Sequence, residues 1–256
     1  MRTLLFATLL VLGARARAET PTWVPDRPNA TVAPVVLPLG YVGLDIGLRY
    51  EGDRPGDEDR LSVPIKLRYP VTARWELQVT ASPLDWEDPP HDDARMGVSD
   101  LAVASRTVLT EGGGWRPPLA LELGATIPTG SIGLGSGSPS FYALLATEIT
   151  PWEAVWLDLN LGLSLEPLRG VGRGFVADEF ASAALGLDLA GLALPYLELS
   201  WAAAHAEPGA DFLQLELGTV WFVTERVALD AIVSTGLTAP APDLAVAFGV
   251  SVLLER

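Results

Sequence analysis

Residues 155–165 read Val155-Trp156-Leu157-Asp158-Leu159-Asn160-Leu161-Gly162-Leu163-Ser164-Leu165. Every odd position is aliphatic, while the even positions carry Trp, Asp, Asn, Gly and Ser. A helix returns to one face every 3.6 residues or so and would scatter these leucines around its circumference; a strand has period two and sorts them onto one side. The stretch is therefore a β-strand. The same alternation recurs in Val42-Leu44-Ile46-Leu48-Tyr50, Leu61-Val63-Ile65-Leu67-Tyr69, Trp75-Leu77-Val79-Ala81 and Leu119-Leu121-Leu123-Ala125-Ile127. It returns in Ala183-Leu185-Leu187-Leu189, Leu213-Leu215-Leu217 and Leu244-Val246-Phe248-Val250-Val252-Leu254, with weaker runs at 99–110, 140–149, 193–203 and 227–235. Together these predict twelve strands of about ten residues, the length a tilted strand needs to cross a bilayer.

Alternation does not say which face is wet. A soluble β-sandwich turns its apolar face inward, whereas a membrane barrel turns it outward. The connections favour a transmembrane, antiparallel, up-and-down β-barrel over residues 39–256. Glu51–Arg60, Pro83–Met96, Pro128–Pro139, Glu166–Asp178, Ala204–Gly209 and Gly236–Pro242 are mostly long, while Pro70–Arg74, Thr150–Ala154, Ala190–Gly191 and Thr224–Arg226 are short. Long loops on one rim and short turns on the other are the pattern of outer-membrane barrels. Aromatics gather near strand ends: Tyr50, Trp86, Phe141, Tyr142 and Trp201 toward the long loops, and Tyr41, Tyr69, Trp75, Trp115, Trp152, Trp156 and Trp221 toward the short turns. Two such girdles, with Tyr50, Tyr69, Trp75, Trp152, Trp201 and Trp221 as their principal members, would anchor two membrane interfaces. The opposite face mixes small residues with charges, and a soluble barrel of twelve strands would be too wide inside to fill.

Composition agrees. The chain of 256 residues has 49% hydrophobic residues, no cysteine and a formal charge of −15. That excludes a disordered chain, a disulfide scaffold, a thiolate nucleophile and the basic footprint of a nucleic-acid binder. Arg2, the apolar run Thr3–Gly13 and Ala16-Arg17-Ala18 predict a cleaved signal peptide over residues 1–18. Its removal would leave a mature charge of about −18, exported to the outer membrane of a Gram-negative envelope. Glu19 to Pro38, rich in proline, is expected to be a periplasmic segment; the alternative is a plug anchored by Trp23.

The order Val63-Pro64-Ile65-Lys66-Leu67-Arg68-Tyr69, Trp75-Glu76-Leu77, Gly97-Val98-Ser99-Asp100-Leu101-Ala102-Val103 and Ala125-Thr126-Ile127-Pro128-Thr129-Gly130-Ser131-Ile132-Gly133-Leu134-Gly135-Ser136-Gly137 resembles outer-membrane transporters of the "MetA pathway of phenol degradation" type. The Gly-x-x-Asp strand start and the Pro-Thr-Gly…Gly-x-Gly-x-Gly loop carry most of the match, which spans about residues 40–256. The resemblance implies a twelve-strand barrel passing small organic molecules. The chain departs from many barrels in ending Leu253-Leu254-Glu255-Arg256 rather than on an aromatic residue.

By parity the inward bases are Arg49, Lys66, Arg68 and Arg106, and an acidic wall is formed by Glu122, Glu148, Asp158, Asp188, Glu198, Glu216 and Asp230. Other inward acids are Asp45, Glu76 and Asp100. Because the bases fall on strands close in sequence, closure would set a partly basic wall against an acidic one. Charged walls of this kind tune ion and solute selection. The expected function is a narrow pore for passive uptake of small, organic, cationic or zwitterionic solutes; the alternatives are a non-conducting structural barrel and an outer-membrane lipid hydrolase. An enzyme is not expected, since His91 and His205 are the only histidines and neither lies in a nucleophile motif. Outer-membrane lipid, a small solute and, during biogenesis, the barrel assembly machinery are the expected partners, with no cofactor, metal or nucleic acid. The acidic loops 51–60 and 85–93 lack EF-hand spacing and are expected to be solvated rather than to hold Ca²⁺ or Mg²⁺.

Overall fold

A computed structural model describes residues 23–27, 30–54, 58–89, 92–113, 116–168, 174–205 and 210–256. The expected signal peptide at 1–18 lies outside the described residues, as do His91 and Trp115. The strands are β1 (Tyr41–Arg54), β2 (Glu58–Ser62), β3 (Ile65–Thr72), β4 (Trp75–Ala81), β5 (Asp85–Asp88), β6 (Arg95–Gly97), β7 (Leu101–Thr110) and β8 (Leu119–Ile127). They continue with β9 (Ser140–Trp152), β10 (Val155–Pro167), β11 (Phe175–Leu187), β12 (Ala193–Ala202), β13 (Phe212–Thr224), β14 (Val227–Gly236) and β15 (Leu244–Glu255). Neighbours pair antiparallel, and β15 pairs with β1 from Tyr41↔Glu255 to Gly52↔Leu244, which closes the sheet.

Six of these segments are halves of three interrupted strands. Pro64 separates β2 from β3 and Pro83 separates β4 from β5, because proline has no N–H for the ladder. Across these gaps the main chain still bonds sideways: Gly47 N–H donates to Pro64 O, Val63 N–H to Leu84 O and Ser99 N–H to Ser82 O, each at 2.9 Å. The result is a closed, up-and-down barrel of twelve strands. Apart from β6, three residues long and paired with β5 on one side, every strand has neighbours on both sides, so no long row of backbone groups is left for lipid to desolvate. β11 begins at Phe175, so the connection expected over 166–178 is shorter than read from the sequence.

The decisive stretch settles which face is wet. Leu161 and Leu163 are 61% and 52% exposed on the outside, whereas Asp158 and Asn160 are 5% and 4% exposed within. A soluble sandwich has the opposite arrangement. Tyr69, Trp75, Trp152 and Trp221 stand exposed on the outer surface near the short turns, while Tyr50 and Trp201 are half-buried near the other rim. Tyr142 and Trp156 do not join the girdle, because their parity turns them into the lumen. Each lies across a glycine on the adjacent strand, Tyr142 on Gly124 and Trp156 on Gly186, and Phe180 and Tyr196 do the same on Gly162 and Gly218. A side chain at any of those glycines would occupy the volume of the ring. Tyr41 likewise packs inward, on a cluster with Trp23, Leu37 and Phe222.

An occluded lumen as the candidate functional site

The Pro-rich stretch is not a free tail: from Trp23 to Leu37 its described residues run inside the barrel. Trp23 lies at the short-turn rim, where its indole N–H donates to Glu225 O at 2.9 Å and its ring meets Phe222 edge-on at 6.2 Å. The chain rises into the lumen and returns to the same rim, where Arg256 N–H donates to Gly40 O at 2.9 Å. Prolines keep the stretch extended, so its backbone groups must find partners on the wall. They do so along its length. Glu198 Oε1 accepts from the N–H groups of Ala30 and Thr31, both at 3.1 Å. Asn160 accepts from Val32 N–H at 2.8 Å and returns a bond to Val32 O at 2.9 Å, acting as a one-residue strand partner. Glu76 accepts from Leu37 N–H at 2.8 Å, and Arg68 donates to Val24 O at 2.8 Å.

Asp26 and Arg27 organise the electrostatics. In an extended chain successive side chains point opposite ways. Asp26 faces the basic wall, where Arg106 grips it with two bonds of 2.9 and 2.8 Å and Lys66 reaches it at 3.3 Å. Arg27 faces the other way and meets Asp230 at 3.4 Å. The predicted transverse field is thus spanned by the segment rather than left across an open pore.

The sequence-derived walls are redistributed accordingly. Lys66, Arg68 and Arg106 converge with Asp26, Glu76 and Glu122 into a cluster of three bases and three acids. Glu122 therefore belongs with the bases, bound to Arg106 Nε at 2.7 Å and accepting from Tyr142 Oη at 2.7 Å. Arg49 stands apart, paired with Glu51 at 2.8 Å. Asp188 sits at the short-turn rim, where it accepts Gly191 N–H at 2.6 Å and braces a turn in which Ala190 has φ 57°. Glu148, Asp158, Glu198, Glu216 and Asp230 line the far side, with buried oxygens of Asp158, Glu198 and Asp230 lacking any hydrogen-bond partner. Sequence reasoning missed Asp26, Arg27 and Asn160 as lumen-binding residues. Parity places Asn160 on the inward face of β10 without showing its partner, and it does not reach Asp26 and Arg27, whose segment has no period.

Two features lie at the long-loop rim. Asp100 accepts from Gly130 N–H, Ser136 N–H and Ser136 Oγ at 2.7, 2.7 and 2.6 Å, so the glycine-rich loop folds around one carboxylate. A Cβ at Gly130 would come within 2.7 Å of Gly135 Cα and 2.8 Å of the Asp100 carboxylate, which is why this loop needs its glycines. His205 lies 2.6 Å from Glu179, a pairing that raises its pKa above the usual value. The acidic outer loops draw on neighbouring bases, as in Arg60 with Asp85 at 3.1 Å. Among the described residues no group of three ligating side chains is gathered to hold a metal ion.

No protein-family model and no curated protein matches the chain. Solved structures do. An outer membrane channel from Pseudomonas putida F1 aligns with a TM-score of 0.67 over 90% of this chain and 100% of that one, at 15% identity. The NanC porin aligns at 0.57 over 83% and 99%, with 4% identity, and LpxR from Salmonella typhimurium at 0.50 over 82% and 99%, with 10% identity. At these identities the likeness is one of fold. The chain has the fold of an outer-membrane β-barrel, as the resemblance read from residues 63–137 implied.

Proposed function

We propose that this protein is an outer-membrane channel for small solutes, held closed by the segment 23–38 and favouring cations or zwitterions when that segment withdraws. The observation that carries the reading is how the segment is attached. It is bound through wall side chains, and its described residues contribute nothing to the barrel ladder, so its departure leaves the strand pairing intact. Withdrawal would remove Arg27 from the acidic side and expose Asp45, Glu216 and Asp230 to the path, a lining that attracts cations. The fold shared with the P. putida channel and the NanC porin supports passage as the general activity.

Planar-bilayer recording tests it. The full chain is expected to show small, intermittent conductance, and a variant lacking residues 23–38 a larger and steadier one, with a reversal potential set by cations. No conductance from either protein, or an anion preference in the truncated one, overturns the reading. A non-conducting structural barrel is the second reading, favoured by the buried ion pairs on Asp26. It is supported if the truncated barrel conducts while the full chain never opens.

A further inference from the structure

The segment divides the interior into two spaces. A cavity of about 400 Å³ lies above it, bordered by Lys66, Thr126 and Glu166, and one of about 240 Å³ lies below, toward the short turns. The lower cavity combines two kinds of wall. Glu148, Asp158 and Asp188 supply carboxylates, and Trp23, Trp156 and Phe222 supply rings. The base that borders it, Arg27, is directed at Asp230. Among the described residues, no ion pair involves Glu148, Asp158 or Asp188.

Asp158 is the telling residue. It is 5% exposed, borders this cavity, and its Oδ1 is buried without a hydrogen-bond partner. Its ladder neighbours offer no relief, since it stands opposite Glu148 on β9 and Ala184 on β11. An ionised carboxylate in such a place is costly unless it takes up a proton or a positive group arrives to meet it, and a bound cation is what keeps it ionised. The indole N–H of Trp156 is also buried without an acceptor. Aromatic faces beside carboxylates favour an organic cation over a hydrated metal ion, because the rings attract the charge and cover the hydrocarbon around it. Size agrees: a cavity of about 150 Å³ suffices for benzene, so 240 Å³ admits a ring with a short ammonium-bearing arm.

We propose that this lower cavity binds a small organic monocation, an alkyl- or arylalkylammonium ion, with Asp158 as its counter-ion and Trp23 and Trp156 as its walls. The proposal rests on the reading of the interior as a path for small solutes and names the solute class. Because Trp23 belongs to the segment, binding and closure are linked: an occupied site holds the segment in place, and withdrawal of the segment removes one wall.

Calorimetric titration of the detergent-folded full chain with 2-phenylethylammonium chloride is the test, beside 2-phenylethanol and 3-phenylpropionate as neutral and anionic counterparts. The ammonium ion is expected to bind one per chain, at least about tenfold more tightly than the alcohol, with no binding of the carboxylate. Asp158→Asn should weaken it about tenfold and Asp158→Glu should retain it. Glu148→Gln provides the same direction of change if Asp158→Asn fails to fold on a heat-modifiability gel. Absence of ammonium binding, equal binding of cation and alcohol, tighter binding of calcium chloride, or indifference to both carboxylate substitutions overturns the site. Conductance separates this from the channel reading: a barrel that binds without conducting keeps the site and loses the channel, and one that conducts without binding loses only the site.

Discussion

Arg106 shows how one side chain can hold a conformation of a whole segment. Its guanidinium is fully buried, grips Asp26 in a two-bond fork and turns its Nε toward Glu122. Only a planar group with five donors in fixed directions can serve both carboxylates at once, which a lysine ammonium does not reproduce. Arg106→Met would leave two buried acids with less compensation, a change worth about 3–5 kcal/mol. One of those acids can escape, because Asp26 rides on a segment outside the barrel ladder. The cost should therefore appear as release of the segment and not as unfolding. The chain has no cysteine, so Ala33→Cys, at a position 6% exposed, is a clean reporter. Maleimide labelling of that thiol is expected to be slow alone and roughly a hundredfold to a few thousandfold faster with Arg106→Met, at about 1.4 kcal/mol per tenfold. Equal labelling rates, with a barrel that melts earlier, would show that the segment is a fixed part of the core.

At the scale of elements, the glycine-rich loop 128–139 and the segment 23–38 depend on single carboxylates in different ways. Partial burial acts to raise the Asp100 pKa, but the bonds from Ser136 and Gly130 outweigh it and hold the group below its ordinary 3.8. A carboxylate whose folded pKa is depressed stabilises its surroundings fully above the ordinary value and loses that effect as pH falls through the folded one. Amide exchange at Gly130 and Ser136 should accordingly stay protected down to pH values below 3.8 and fail only beneath them. Asp100→Asn should lose about tenfold in protection at neutral pH as well, since neutral acceptors bond more weakly. Exchange unchanged by the substitution would mean the glycines alone shape the loop.

The contrast between these elements also marks what the sequence could disclose. Strands announce themselves because lipid on one side and charge on the other impose period two, and every alternating run from Val42 to Leu254 falls on a strand, with single residues such as Val63 and Leu189 lying just outside one. The segment carries no period, as many of its contacts are made by backbone groups and the rest by scattered side chains, and proline patterning is shared by tails and plugs alike. One signal was present. Asp26 and Arg27 are the only charges between Glu19 and Asp45, in a stretch with Val24, Val32, Val35, Val36 and Leu37. That is too apolar for a solvated tail and suits a chain crossing between walls of opposite charge. Glu122 faces the lumen as parity predicts but joins the bases, because parity gives the face of a residue while its partner depends on the neighbouring strand, here Arg106 opposite on β7.

The molecule as a whole is organised inside out, and that inversion can be tested without touching the lumen. Buried charges fill the interior, while Leu161, Leu163, Leu165, Leu185 and Leu197 stand 44–61% exposed around the circumference. In water an exterior of this kind would drive aggregation; in a bilayer it replaces lipid–lipid contact at little cost. Leu161 lies at the middle of β10 and contacts nothing that a function requires. On a soluble protein a residue 61% exposed tolerates substitution within about 0.5 kcal/mol. On a lipid-facing wall near the midplane, Leu161→Arg should cost about 2–4 kcal/mol, because the guanidinium must be dragged into hydrocarbon or toward an interface. Reversible guanidinium unfolding from lipid vesicles measures the difference. A substitution at Trp152, exposed at the short-turn rim, supplies the internal control: Trp152→Arg should cost about 0–1 kcal/mol, since near the interface the charge finds water and headgroups. Equal and small effects at both positions would place the leucine face in water and defeat the membrane reading. The predicted gradient from midplane to rim requires a hydrocarbon layer centred on Leu161.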